Sequence, residues 1–324
     1  MKYSKSSTNI TNELLSSSGN SEDEIDLKEL VSVIWKEKVL IIAVACLFAV
    51  LSVIYAIKQP NIYKSEVLLA PSEQEGSSGL AGLAGQFGGL ASLAGVNLGG
   101  GNNKAQLAVE VLKSRQFTSD FISKHNILPE LMGVHSWNMQ TNELIYDEEL
   151  YDSESGEWKR SVTAPLVPEP SMQEAYKEFK KVFSVNNDKE TGLITLSVTH
   201  VSPYVARQWV SWLVEDINQT MKEREVLEAE KSTAFLKQQL NQTEIADIRE
   251  VLYKLVEEQT KTIMFAEVRD EYVFKTIDAA FVPEEKFKPK RAVIAILGTI
   301  LGCIAGVIFA FIVNFSKKQR SKSF

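Results

Sequence analysis

Two uncharged apolar runs, one toward each end, decide what this chain can fold into. Val39 to Ile57 reads VLIIAVACLFAVLSVIYAI, and Ala292 to Phe315 reads AVIAILGTILGCIAGVIFAFIVNF. At about 1.5 Å of helical rise per residue, each reaches roughly across the ~30 Å hydrocarbon core of a bilayer. The first run starts behind 38 mostly polar residues, too late and too long for a secretory signal core, and is expected to stay in the mature protein. The second carries Gly298, Gly302 and Gly306 four apart, on one helical face. In water each glycine would cost a helix roughly 1 kcal/mol against alanine. In lipid the helix has no solvated alternative, and association must come from close packing, which such a stripe allows. The glycine face is therefore expected to pack against the first span, a neighbouring subunit or another membrane protein.

The spans divide the 324 residues into a head (1–38), a first membrane helix (39–57), a central domain (58–291), a second membrane helix (292–315) and a short tail (316–324). Almost all the folded mass is expected on one side of the membrane. Charge does not decide which side, because seven Lys and Arg residues flank the spans on the terminal side and seven on the central side. Both cysteines, Cys46 and Cys303, fall within the runs, so no disulfide framework or cysteine-based metal site is expected. A net charge of −7 argues against a nucleic-acid partner. The three histidines, His125, His135 and His200, are scattered without a paired nucleophile or metal-ligand spacing. Nothing marks two carboxylates as an acid–base pair, and no phosphate-binding G-x-x-x-x-G-K-[ST] occurs. The reading is a protein with no catalytic, metal or cofactor site: not an enzyme.

Within the central domain, Tyr63 to Leu69 alternates as a strand should. Residues 76–101 hold ten of the 17 glycines together with Leu80, Leu83, Phe87, Leu90, Leu93 and Leu98. A plain spacer would lack the leucines, so this segment reads either as a loop or as a surface for membrane, partner or subunit. One helix is expected over 103–126, then irregular chain over 129–170. Ser171 and Glu174 form a capping box ahead of a helix, and a hairpin with its turn around Asn186 to Gly192 follows. Ser202–Pro203 opens a helix expected to run without a break to about 241, roughly 57 Å. Its first third is amphipathic through Trp209, Leu213, Ile217 and Met221. Its middle, KEREVLEAEK (222–231), is seven-tenths charged, with Arg224 and Glu228 spaced for an i,i+4 pair. Being polar all round, that stretch is expected to project into solvent or lie against another subunit. A second helix over about 243–269 and a strand in YVFKTIDAAFVP complete the domain. The fold class is a membrane protein of α+β type: two transmembrane helices flanking an α/β base that bears a long helical arm.

The stub Ala280 to Arg291, AFVPEEKFKPKR, runs into the glycine-spaced helix; SPYVARQWVSWLVEDIN (202–218) opens the long helix, and YVFKTIDAA precedes the stub. In this order, over about residues 25–315, they resemble the Wzz chain-length determinants, the class 1 polysaccharide co-polymerases of Gram-negative inner membranes. One departure concerns the prolines: the family's stub often has a third between the outer two, whereas Pro283 and Pro289 here bracket Lys286-Phe287-Lys288. The resemblance implies a periplasmic central domain, cytoplasmic termini and a ring-shaped homo-oligomer. It further implies a Wzy-type polymerase partner and control of the modal length of a lipid-linked, O-antigen-type polysaccharide. Gly298, Gly302 and Gly306 become candidates for membrane-helix packing or polymerase contact, Pro283 and Pro289 for the stub, and Arg224 and Glu228 for oligomer contacts. The tail is too short for the tyrosine-kinase domain of the related capsule proteins. The competing reading is a structural periplasmic adaptor of an export system, a class that usually flanks its helical hairpin with lipoyl-like domains.

Overall fold

The computed structural model describes residues 33–72 and 101–322. Most of the head and nearly all of the glycine-rich segment lie outside the described residues. The chain divides into two compact units, residues 1–59 with 290–324, and residues 60–289.

The first unit is a helix pair. Helix α1, Lys38–Lys58, follows a helical turn at 33–36, and its partner α8, Arg291–Lys322, continues through much of the expected tail. Only 11% and 17% of the residues in their most apolar windows are buried, far too little for core helices of a soluble protein. Two exposed apolar helices of 21 and 24 spanning residues are what a bilayer requires.

In the second unit, β1 (Tyr63–Pro71) lies inside a four-stranded antiparallel sheet of order β6-β7-β1-β8. Strands β6 (Phe183–Asn187) and β7 (Ile194–His200) form the expected hairpin, and β8 (Phe274–Asp278) pairs along the other edge of β1. Alternation is clear: Tyr63, Ser65, Val67 and Leu69 are buried while Lys64, Glu66 and Leu68 are half-exposed. Val67 pairs with Leu196 and Ser65 with Val198, so the inward rows of β1 and β7 merge into one apolar surface. Helices α2 (Gly101–Leu112), α3 (Arg115–His125), α4 (Leu128–Met132), α5 (Met172–Val182) and the first third of α6 (Pro203–Gln242) contribute to the core over that surface. Trp209, Leu213 and Ile217 of α6 are fully buried there.

Local chemistry explains the boundaries. Ser202 caps α6 by accepting the Val205 N–H, with Pro203 in the first turn. Ser171 and Glu174 make a reciprocal capping box on α5. Arg160 donates to both Glu174 carboxylate oxygens, and that bond leads in holding the carboxyl at about 2. Two expectations fail. The helix expected over 103–126 breaks at Ser114, which takes extended backbone and accepts the Phe117 N–H to start α3. The segment 129–170 is not irregular throughout: it holds α4 and two hairpins, β2 (Val134–Asn138) with β3 (Glu143–Tyr146), and β4 (Tyr151–Asp152) with β5 (Glu157–Trp158). Their turns use Asn142 and Gly156 at positive φ, and the Asp152 carboxylate accepts the Glu154 and Ser155 N–H groups.

Residue α6 Asn218 is the polar rivet of this core. Its carboxamide is buried, accepts the N–H groups of Val273 (2.8 Å) and Phe274 (2.9 Å), and donates to the Phe274 carbonyl (3.1 Å). Toward the opposite end of β1, beside Tyr63, His200 accepts the Ser202 N–H at Nδ1, which leaves Nε2–H to donate to the Glu130 carbonyl at 3.2 Å. Burial pushes the His200 imidazole down to about 4, so it folds neutral. Because the unfolded chain then binds the extra proton between pH 6.5 and 4, His200 costs stability as pH falls through that window. Replacing it in the His200→Gln variant is expected to lower stability at pH 7. The gap to the parent should narrow on acidification to pH 4, by up to about 3 kcal/mol at ~1.4 kcal/mol per pH unit. Thermal melts of the detergent-solubilised protein across that range provide the check; a pH-independent gap would remove His200 from the acid response.

Candidate functional site

The histidines assemble no reactive centre. His135 is exposed, and His200 is committed to backbone groups. The His125 Nε2–H donates to one oxygen of the Asp216 carboxylate at 2.9 Å, while Lys124 donates to the other at 2.6 Å. The His125 ring stacks on Trp212 with centroids 4.1 Å apart. With no nucleophile in this set, it clamps the C-terminal turn of α3 onto α6. Glu130, raised by burial, receives the Trp209 indole N–H at 3.2 Å and likewise serves packing. Among the described residues, no group of three or more His, Cys, Asp or Glu side chains could hold a metal ion.

Three other features carry the candidate residues. The first is the glycine stripe, which faces α1. A Cβ added at Gly298 would fall inside the Ser52 side chain; one at Gly302 would stand 2.6 Å from the Phe48 Cβ and 3.1 Å from the Ala45 Cα. At Gly306 it would meet the Ile41 backbone at 3.1 Å. The order 298 to 306 against 52 to 41 makes the pair antiparallel. Ala310, one further step along the stripe, is fully buried. On α1 the contacting side is itself small: Ala45 and Ala56 are buried, and Ala49 and Ser52 half-buried. The Arg291 guanidinium closes one end by donating from Nε to the Ala56 carbonyl at 3.2 Å. The outward faces, including Leu47, Leu51, Leu297 and Leu301, stay exposed.

The second feature is the stub. Pro283 and Pro289 are both buried while residues 284–288 between them are exposed. The Phe281 carbonyl accepts the buried Ser65 hydroxyl at 2.8 Å, and Ile62 exchanges backbone bonds with 287–288. Phe287 N–H (2.8 Å) and Lys288 N–H (3.2 Å) both donate to the Ile62 carbonyl, and Ile62 N–H returns one to the Lys288 carbonyl at 2.9 Å. A proline at 287 or 288 has no N–H to give. Here backbone pairing stiffens the stub where a third proline is missing.

The third feature is the arm. Past Met221, α6 leaves the core and is paired along its length by α7 (Ala246–Val268). Lys222 Nζ reaches the Glu267 and Arg269 carbonyls, so α7 returns antiparallel to the root of the arm. This corrects the reading of 222–231 as polar all round: Ala229 is buried, as is Ala266 on α7. The expected Arg224–Glu228 ion pair is also not formed; both side chains are exposed, in keeping with how little such a surface pair contributes. It is Glu225 that is engaged, by Lys104 and by Tyr272, whose hydroxyl is raised first by burial and then by that carboxylate. The small side of α1, spaced at 45, 49, 52 and 56, and the buried Asn218 were not singled out from the sequence. Small-residue spacing would have revealed the first; an Asn among apolar core positions is the trace of the second.

Residues 23–125 match the Wzz family, "Chain length determinant protein", and residues 237–315 match the GNVR family, "G-rich domain on putative tyrosine kinase". A solved structure described as a full-length bacterial polysaccharide co-polymerase is 13% identical, with 91% of this chain and 99% of that chain covered at a TM-score of 0.37. A fragment of WzzB, the polysaccharide co-polymerase from Salmonella Typhimurium, is 10% identical over 70% of this chain and 100% of its own, at 0.28. Comparison with curated proteins finds no match. The chain thus matches the Wzz model over its first span and the start of its central domain, and the GNVR model over a later stretch that ends in the second span.

The glycine contacts make a reciprocal substitution test. Gly298→Ala is expected to loosen the α1–α8 pair, and Ser52→Gly in the same chain to restore it, because Ser52 supplies the close side-chain atoms. Gly302→Leu should not be rescued this way, since it also meets the Ala45 backbone. Disulfide trapping between cysteines placed across the pair, in membranes, reads the outcome. Equal trapping in Gly298→Ala and the parent would show that this approach is not tight.

Proposed function

We propose that the protein sets the modal chain length of a lipid-linked surface polysaccharide of O-antigen type, acting with a Wzy-type polymerase. In this reading it is a two-pass protein of the bacterial inner membrane, with both termini cytoplasmic, the central domain periplasmic and the subunits arranged in a ring. The observation that carries it is the Wzz match over residues 23–125, which includes the first span and continues into the α/β domain. The polymerase contact, if it uses the membrane, falls to the outward faces of α1 and α8, because the glycine stripe is occupied by α1. Assembly into a ring accounts for apolar side chains that the arm leaves in water: Leu227 and Phe235 on α6, and Met264, Phe265 and Val268 on α7.

Deleting the gene is expected to leave polymer synthesis running and to broaden its length distribution on a gel of surface polysaccharide. Complete loss of polymer at unchanged polymerase levels would overturn the reading. Arg224 and Glu228, exposed on the arm, are proposed oligomer contacts. Each exposed charge contributes at most about 1 kcal/mol, so reversing Glu223, Arg224, Glu228 and Glu230 together is the informative change. The expected result is a lower oligomer mass in detergent or a shifted modal length. Both quantities staying at parental values would exclude this face as a subunit contact.

A further inference from the structure

The stub is rich in cations. Lys286, Lys288, Lys290 and Arg291 crowd the residues leading into α8, and Lys64 stands six positions after the last residue of α1. Two of these ammonium groups converge on one ring: Lys64 Nζ lies 5.5 Å and Lys288 Nζ 5.3 Å from the Phe287 centroid. The convergence is built, not incidental. Lys64 belongs to β1, and Lys288 is held by the Ile62 pairing with buried Pro289 behind it. Lys64 is paired with Glu66 at 2.7 Å, but Lys286 and Lys288 enter no ion pair among the described residues and are exposed. Glu284 and Glu285 are exposed beside them and hold down the bulk charge of the segment.

We propose that Lys64, Lys286, Lys288 and Phe287 form a binding site for the phosphate group of a membrane lipid. Three ammonium donors suit a phosphate, whose oxygens accept from several directions at once. The phenyl ring, 40% exposed, offers an apolar surface to the first carbons of a lipid, which a free inorganic anion would not use. Sequence position favours the same source: Lys288 is three residues ahead of Arg291, where α8 begins. Basic residues next to a span attract anionic headgroups at about 1 kcal/mol each. The site rests on the membrane location in the proposed function, and both a bulk anionic phospholipid and a polyprenyl pyrophosphate carrier present the chemistry it requires.

The test uses the full-length protein in phosphatidylcholine nanodiscs, with bound lipid read by native mass spectrometry. Three ligands are compared: phosphatidylglycerol, a polyprenyl pyrophosphate, and inorganic pyrophosphate in solution. In the Lys64→Gln/Lys286→Gln/Lys288→Gln variant, lipid affinity is expected to fall about 10- to 100-fold, while Glu284→Gln/Glu285→Gln should raise it. A fall confined to the polyprenyl pyrophosphate identifies the carrier as the ligand; an equal fall for phosphatidylglycerol identifies the bulk lipid. Lys286→Gln alone, which breaks no ion pair in the fold, should give about a 5-fold fall and covers the case in which the triple variant does not fold. Undiminished lipid binding in both variants overturns the site, as does inorganic pyrophosphate binding as tightly as either lipid. Chain length on the polysaccharide gel is a separate readout. A protein that binds lipid through these lysines yet leaves polymer length unchanged on deletion would lose the proposed function and keep the site.

Discussion

The pairing of β1 with β8 is the constraint on which residues 60–289 depend. It sets Leu68 beside Asp278, closing a loop of roughly 200 residues. Loop-closure entropy grows only with the logarithm of length, so this costs little more than a loop half as long. The closure is then reinforced outward along the chain by Ser65 to Phe281 and by Ile62 to 287–288. On its other side β1 pairs with β7, whose inward row, Ile194, Leu196 and Val198, is buried under α6. Removing β1 would therefore cost the sheet its centre, the stub its anchor and α6 part of its floor. The helix pair of the first unit is closed independently, by glycine and alanine contacts in place of hydrogen bonds across strands.

The arm is made differently from the base. Between Met221 and Gln242, α6 buries one apolar residue fully, Ala229, and α7 buries Ala266. Such a two-helix hairpin has contacts on one side only, and its stability is expected to come mostly from the root. The root is where polar bonds concentrate: Lys222 to the carbonyls that end α7, Glu225 to Lys104 and Tyr272, and Asn218 to the start of β8. Asn218 of α6 offers its carboxamide oxygen and N–H to the backbone of Val273 and Phe274, so α6 holds the chain where it enters β8. Val268 at the root, and Phe235, Met264 and Phe265 beyond it, are exposed side chains that a neighbouring surface would cover.

How legible this was depends on whether a signal is local. Caps are local, and Ser171 with Glu174 and Ser202 with Pro203 stand where their spacing puts them. The row Trp209, Leu213, Ile217 and Met221 is buried because helical periodicity reports a single continuous face. The break at Ser114 was masked by apolar residues that keep helical spacing through it, although a serine before a helix-length run is also a cap signature. The hairpin strands in 129–170 are only two to five residues long, too short for alternation to register, and their turns use Asn142 and Gly156 at positive φ. The Arg224–Glu228 pair had the right spacing and the wrong weight: at the surface, spacing permits an ion pair and water competes with it. In the membrane helices the glycine stripe was plain, but its partner needed the weaker pattern of alanines and a serine on α1.

The buried polar groups of the α/β unit divide cleanly by partner. Ser65 donates to a backbone carbonyl, Asn218 satisfies three backbone groups, and His200 satisfies two. Asp216 is taken up by Lys124 and His125. Each therefore serves the cost of desolvation first, because an unpaired buried polar group would subtract about 1–3 kcal/mol from a marginal fold. A general acid or nucleophile needs the opposite arrangement, with a reactive group left poised toward substrate rather than consumed by the backbone. The Thr233 hydroxyl oxygen on the arm is enclosed without a hydrogen-bond partner; the larger uncommitted features lie on surfaces, namely the charged and apolar faces of the arm, the lysines around Phe287, and the outward sides of α1 and α8. Under the proposed function, these surfaces are where contact with a polymerase or with a second subunit would fall.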